Sequence, residues 1–377
     1  MFDKSESRPG PYRILVLQGG GALGAYQAGA YAALAEQGYA PDWVAGISIG
    51  AINGAIIAGN RPENRVARLR DFWNRVTSGL QCQPFSSHVH VRNAFNGASA
   101  LMGLAGGAPG FFTPRLFPPV LTPAATPASL GYYSSEPLRE TLRELVDFDC
   151  LAHSPVRLSV GAVNIRTGNF TYFDSAKQTL GVEHVMASGA LPPGLPPIEI
   201  DGDYYWDGGV VSNTPLQYVL DEPAPAPALS IFQVDLFSAE GQVPETLLDA
   251  AAREKEIRYS SRTRLSTDML REKVKLRRAM KRVLRKLPAN LRDDPDVKLL
   301  AALPDEPEVS VMHLIHSAPA YEGHARDYDF SRVSMAEHWE QGRADVAASL
   351  SRAAWAKRGG ARADMVTYDL ARGEKVK

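Results

Sequence analysis

Cysteine is nearly absent: Cys82 and Cys150 are the two in 377 residues, far apart and at no metal-ligand spacing. That usage suits a reducing compartment, and no structural disulfide is expected. An excess of one charge is missing too. Lys plus Arg number 41 against 42 Asp plus Glu, a formal net charge of -1. A whole-molecule field that gathers nucleic acid is excluded, leaving only local patches. Long apolar runs are lacking. The best, residues 44–59, is short, contains Asn53, and is flanked by Asp42 and a turn at Gly59-Asn60. No membrane span is expected from it. The opening MFDKSESRPGPYR has no apolar stretch of the secretory kind, so cytoplasmic residence is the expectation, with peripheral membrane contact left open. The zinc-hydrolase pattern H-E-x-x-H does not occur, and no metal is expected.

What is present describes a globular chain. It is 45% hydrophobic and 22% charged, which excludes global disorder. Glycine and proline number 32 and 27, a small excess whose positions matter. Arg13 to Gln18 reads as a buried strand, followed by a glycine cluster and a helical pattern from Tyr26 to Gln37. Asp42 to Ile47 reads as a second strand, and Gly50 to Ala58 as a buried helix. This alternation predicts an α/β sandwich with a mostly parallel sheet. Asn64 to Val76 and Ser135 to Val146 follow as amphipathic helices. Val156 to Asn164, Phe170 to Phe173, Ser230 to Phe237 and Val309 to Ile315 read as strands, with a hairpin around Gly202-Asp203.

Residues 81–130 stand apart. Glycine, alanine and proline dominate, yet Phe85, Phe95, Phe111, Phe112 and Phe117 are scattered through them. A polar linker would not carry those aromatics, so a lid or substrate wall is expected. Thr246 to Leu287 reads as one long helix. Its part at 271–286 holds nine Lys or Arg and one Glu, with Leu276, Met280, Val283 and Leu287 at helical spacing. Such a helix docks its apolar stripe on the body, meets an anionic membrane surface, or contacts a partner or nucleic acid.

Two glycine-rich turns carry the chemistry. Gly19 to Gly24 contains G-x-G-x-x-G after a strand, but no acidic residue closes the next strand to hold a ribose. No Gly-Lys-Ser/Thr follows either, so nucleotide readings fail. Gly46-Ile47-Ser48-Ile49-Gly50 is G-x-S-x-G between a strand and a helix, the context of a nucleophile elbow. Ser48 then lies at the amino end of a helix, whose unpaired N–H groups favour negative charge. Acyl transfer through serine also needs donors for an oxyanion, at roughly 3 kcal/mol each. The Gly20, Gly21 and Ala22 amides are the best candidates, since glycines let successive N–H groups converge. A histidine base is formally available in His313, His316 or His324, downstream of Ser48 and Asp207, although nothing local marks any of them.

The blocks GGGALGAYQAGAYAALAE, GISIGAINGAIIAG, ASGALPPGLPP and YYWDGGVVSNTPL occur in that order. Together they resemble the patatin-like phospholipases, over residues 13 to about 235. Tyr328 to Gly342 is similar to a C-terminal block in a bacterial branch of that family. The resemblance implies a three-layer α/β/α sandwich and a lipid acyl hydrolase with no organic cofactor. It puts Ser48 on the nucleophile and Asp207 on its dyad partner, with Gly208 and Gly209 forming the acid turn. Gly19, Gly20, Gly21, Ala22 and Gly24 fall on the oxyanion loop, and Gly46 and Gly50 frame the elbow. It further implies a catalytic core over 13–235 after a tail at 1–12, a mainly helical region over 236–365, and a flexible tail at 366–377. An acyltransferase using the same acyl-enzyme, and a non-catalytic lipid binder, are the alternatives. The expected partner is a lipid or other acyl ester, with no nucleic acid.

Overall fold

The computed structural model describes residues 10–77, 79, 82–84, 86, 88–117, 126–223, 225–260, 263–303, 306–319, 321–323, 325–357, 365–371 and 375–376. Phe85, His324 and parts of the expected tails and insert lie outside them.

The chain opens with β1 (Tyr12–Leu17), α1 (Gly24–Glu36), β2 (Trp43–Ile47), α2 (Ile49–Ala58) and α3 (Pro62–Val76). α4 (Val89–Gly106) and the two-residue strands β3 (Thr113–Pro114) and β4 (Tyr133–Ser134) make up most of the described insert. Next come α5 (Glu136–Leu145), α6 (Phe148–Ala152), β5 (Arg157–Asn164), β6 (Phe170–Asp174), α7 (Val182–Ser188), β7 (Ile198–Ile200) and β8 (Asp203–Asp207). α8 (Leu216–Asp221) and β9 (Ala228–Asp235) are followed by α9 (Leu247–Tyr259), α10 (Thr263–Leu284) and α11 (Pro295–Ala301). β10 (Glu308–Ile315), α12 (Arg332–Leu350), α13 (Ala353–Ala356), β11 (Val366–Asp369) and β12 (Lys375–Val376) complete the order.

The strands form a mixed sheet in the order β12, β11, β10, β9, β1, β2, β5, β8, β7, with β6 also on β5. From β11 to β5 every pairing is parallel, while β6, β7, β8 and β12 pair antiparallel. Along β1 the side chains alternate between two cores. Leu15 and Leu17 join the large cluster under α1, α2 and α12, while Ile14 and Val16 join a smaller one with Leu216 and Val219 of α8. Burial of both faces is why these strands read as unbroken apolar runs, and it produces the expected α/β/α layering.

Beyond residue 235 the sheet continues. β10 pairs with β9 over its whole length, and β11 pairs with β10. Val366–Asp369, placed by sequence in a flexible tail, is therefore a strand, because Val-Thr-Tyr favours the pleated surface and β10 offers an edge to pair with. The segment expected as one long helix comprises α9 and α10. On α10, Val274 is buried while Leu276 and Val283 are 58% and 57% exposed. The docked side is instead fixed by Arg271 to Thr367, Lys273 to Asp221 and Arg277 to Glu306. Among the described residues no helix is long and apolar enough to cross a membrane.

Candidate active site

Sheet register brings Ser48 and Asp207 together. β6 occupies one edge of β5 from Ser159 to Val163, and β2 occupies the other, ending with Ile47 opposite Gly161. β8 runs antiparallel along that second edge and ends with Asp207 opposite Ala162. β2 and β8 thus meet end to end along one strand, and the residues at their tips become neighbours. The Asp207 carboxylate accepts a hydrogen bond from the Gly209 N–H at 2.7 Å, and the neighbouring Ser48 hydroxyl favours its charged form.

The bend at Ser48 is sharp. Its φ of 54° and ψ of -122° are rare for a residue with a side chain, a conformation that costs about 1–3 kcal/mol. Small neighbours make it sterically feasible. A Cβ on Gly46 would come within 2.3 Å of the Gly50 carbonyl oxygen, and one on Gly50 within 2.4 Å of the Leu17 oxygen. Ser188, at the end of α7, braces the bend. Its Oγ accepts from the Ser48 N–H at 3.0 Å and donates to the Gly161 oxygen at 2.7 Å. Ser48 itself caps α2, with its carbonyl accepting from the N–H groups of Ala51 and Ile52.

The glycine cluster lies beside this bend. The Gly19 N–H donates to the Asn213 oxygen at 3.2 Å, and Asn213 Nδ2 returns a bond to the Gly19 oxygen at 2.9 Å. Gln18 Oε1 accepts from the N–H groups of Leu236 and Phe237, tying the ends of β1 and β9. Beneath the loop, Gln27, Asn53 and Trp73 form a buried chain that also holds the Gly24 oxygen. Among the described residues, nothing accepts a hydrogen bond from the N–H groups of Gly20, Gly21 or Ala22. Gly20 and Gly21 are half-buried and Ala22 is buried, and these three amides are left without an acceptor among the described residues.

Asp207 is 2% exposed. Burial pushes its carboxyl up to about 7, with the Ser48 hydroxyl and the Gly209 N–H opposing that rise. It can therefore exchange a proton near neutral pH, which an ordinary aspartate does not. Among the described residues, no histidine lines the cavity. His316 hydrogen-bonds Glu322 instead, and His313 is buried within β10.

Ser48, Asp207, Gly19, Gly20 and Gly21 line a cavity of about 380 Å³, within the usual range for ligand sites. Leu104, Phe111, Phe112, Leu195 and Phe330 form its apolar wall, and Glu254, Lys255, Arg258 and Asp327 its charged rim. Of the five insert phenylalanines, Phe111 and Phe112 reach the cavity, whereas Phe117 is 79% exposed. Sequence reasoning missed Ser188 and Asn213, although both lie inside motif blocks, because neither residue type announces a bracing role. It also missed the wall from Tyr328 and Phe330, which arrives from the far end of the chain.

Residues 15–220 match the family described as Patatin-like phospholipase, and residues 257–361 match one described as Patatin phospholipase. No curated protein matches the chain. Among solved structures, VipD from Legionella pneumophila is 15% identical, with a TM-score of 0.35, over 88% of this chain and 67% of that one. Full-length ExoU in complex with SpcU, from the type III secretion system of Pseudomonas aeruginosa, gives 19% identity and a TM-score of 0.30. That match covers 69% of this chain and 51% of the other. The chain thus spans about half of the second relative's length.

Proposed function

The chain belongs to the patatin-like phospholipase family, a family of lipid acyl hydrolases, and on that premise we propose that it cleaves lipid carboxylic esters through an acyl-enzyme on Ser48. The observation that carries this reading is the placing of Ser48 and a buried Asp207 side by side, at the meeting tips of β2 and β8 in one cavity. Ser48 Oγ attacks the ester carbonyl carbon while its proton passes to Asp207. The Gly20, Gly21 and Ala22 amides receive the oxyanion. Collapse expels the alcohol or lysolipid, which takes the proton from Asp207. Water then attacks the acyl-enzyme, giving its proton to Asp207, and the fatty acid departs as Ser48 is reprotonated.

A carboxylate is a weak base for an alkanol. Proton transfer concerted with attack in a dry site removes the need for a free alkoxide. The apolar wall suits an acyl chain and the charged rim a polar head, which favours phospholipid or lysophospholipid substrates. Contact of the basic segment 271–286 with anionic lipid would add interfacial attraction.

The test is turnover of a phospholipid ester by S48A and D207N. Both should fall by on the order of 10⁴-fold or more with circular dichroism unchanged. Retained activity in a folded S48A variant would refute the acyl-enzyme, and acceptor-dependent product formation would redirect the reading to acyl transfer.

A further inference from the structure

A second cluster of reactive side chains lies outside the Ser48 cavity. His316 follows β10, Glu322 sits in the succeeding loop, and His338 belongs to α12. The Nε2 of His316 is 3.2 Å from one Glu322 oxygen, and the Nε2 of His338 is 2.8 Å from the other. One ligating atom from each residue lies within 4.8 Å of the others. The three side chains are 0%, 4% and 2% exposed.

From these contacts we propose that His316, Glu322 and His338 bind one zinc-class divalent cation that fastens the loop after β10 to α12. The donor chemistry is that of zinc, which takes neutral imidazole nitrogen and carboxylate oxygen, with a fourth position for water. Tetrahedral bonds of 2.0–2.1 Å set ligand atoms about 3.3 Å apart. The two imidazole nitrogens lie 3.2 and 2.8 Å from the two oxygens of the one carboxylate, so a shift of about half an ångström would seat an ion between them. The two imidazoles stand edge to face, 79° apart with centroids at 5.0 Å, so they approach the carboxylate from different directions. Charge argues the same way. Among the described residues, the hydrogen-bond partners of the buried Glu322 carboxylate are these two imidazoles. A buried carboxylate requires compensation, and a divalent cation supplies it while leaving both rings neutral. Binding would release any proton the rings hold.

Its effect would reach the Ser48 cavity by connectivity. The loop held by Glu322 continues into Asp327, Tyr328 and Phe330, which line that cavity. The Asp327 oxygen also packs where a Cβ on Gly21 would be, at 2.4 Å. The proposal concerns occupancy and stands independently of the chemistry at Ser48.

The experiment uses the full chain, stripped with chelator, loaded with zinc and passed through a desalting column. Zinc content by plasma mass spectrometry should be one per chain, and the melting temperature should rise by several degrees. E322Q and H338N should each bind zinc at least about tenfold more weakly. H88A/H90A, which removes an exposed histidine pair, should bind as the wild type does. An X-ray absorption spectrum of the loaded wild type should report mixed nitrogen and oxygen ligation, so the test does not depend on any variant folding. A wild type that retains no zinc, a spectrum with sulfur ligation, or an E322Q variant that retains zinc fully would overturn the proposal. Those outcomes would leave protons alone shared between the imidazoles and the carboxylate.

Discussion

At the residue scale, Asp207 ties pH to both rate and stability. If it is the base, it must be ionised, so kcat/KM should rise with pH through about 7 and level off above. D207N should abolish that rise along with the turnover. The stability effect has the opposite sign. A carboxyl whose folded value is raised stabilises the protein below its unfolded value, near 4, and loses that contribution as pH rises through about 7. D207N should therefore be more stable than wild type at pH 8, by a few kcal/mol at most, with the gap closing towards pH 4. Urea unfolding at the two values checks it. Ser188 makes a separate prediction. Removing its hydroxyl leaves the Ser48 N–H and the Gly161 oxygen without their bridge, at about 1–3 kcal/mol. S188A should lower kcat about tenfold to a hundredfold with little change in KM, measured on a soluble ester. Ser48 and the glycines stand out in the sequence because their spacing is local, while Asp207 stands out only through the family resemblance of its block. Ser188 does not, since its partners lie 140 and 27 residues away.

At the element scale, α1 and α12 cross with almost no space between them. A Cβ on Gly29 would meet the Trp339 oxygen at 1.9 Å, and one on Gly342 would meet the Tyr26 oxygen at 2.1 Å. Backbone cannot yield as a side-chain tip can, so G29A or G342A should cost about 1–3 kcal/mol or more, visible as a lower urea midpoint. The Glu36–Arg343 pair beside the crossing is half exposed and adds little. The helical pattern of α12 is readable in the sequence. Its partner is not, because the two helices lie some 300 residues apart and only the paired glycines hint at contact. The insert differs again. The eighteen-residue helix α4 is masked in the sequence by three glycines and by alanines that read equally well as loop. Phe111 and Phe112 nonetheless line the Ser48 cavity. F111A/F112A should raise KM for long-chain esters more than for short ones, and an equal effect on both would count against a chain-binding wall.

At the scale of the whole molecule, the division near residue 235 does not mark a folding unit. A chain cut there would expose β9 along its length and strip α12 from α1, whose residues 24–34 are all buried. The fragment 10–235 should aggregate or bind a hydrophobic dye, whereas 10–371 should give a cooperative melt. The parallel core was foreseeable, because each buried strand is an apolar run followed by a helix. The outer strands β10 and β11 are separated from β9 by the helices α9, α10 and α11, and local periodicity does not say where such strands insert. Membrane contact also belongs to this scale. Several α10 cations are engaged by Asp221, Glu272 and Glu306, so reversing Arg282, Arg285 and Lys286 to glutamate should suffice to abolish salt-sensitive binding to anionic vesicles. Binding equal to wild type would mean the helix is a structural brace.

The end-to-end meeting of β2 and β8 on β5 makes turnover a gauge of strand alignment. Deleting one residue from the Asp201-Gly202 turn keeps the hairpin chemistry nearly intact but invites β8 to slide by one position, setting Gly208 where Asp207 belongs. Side chains would also swap faces. On the proposed mechanism such a protein would retain its sheet and yet be inert, and activity would appear during folding only once the eighth strand had found its one correct alignment.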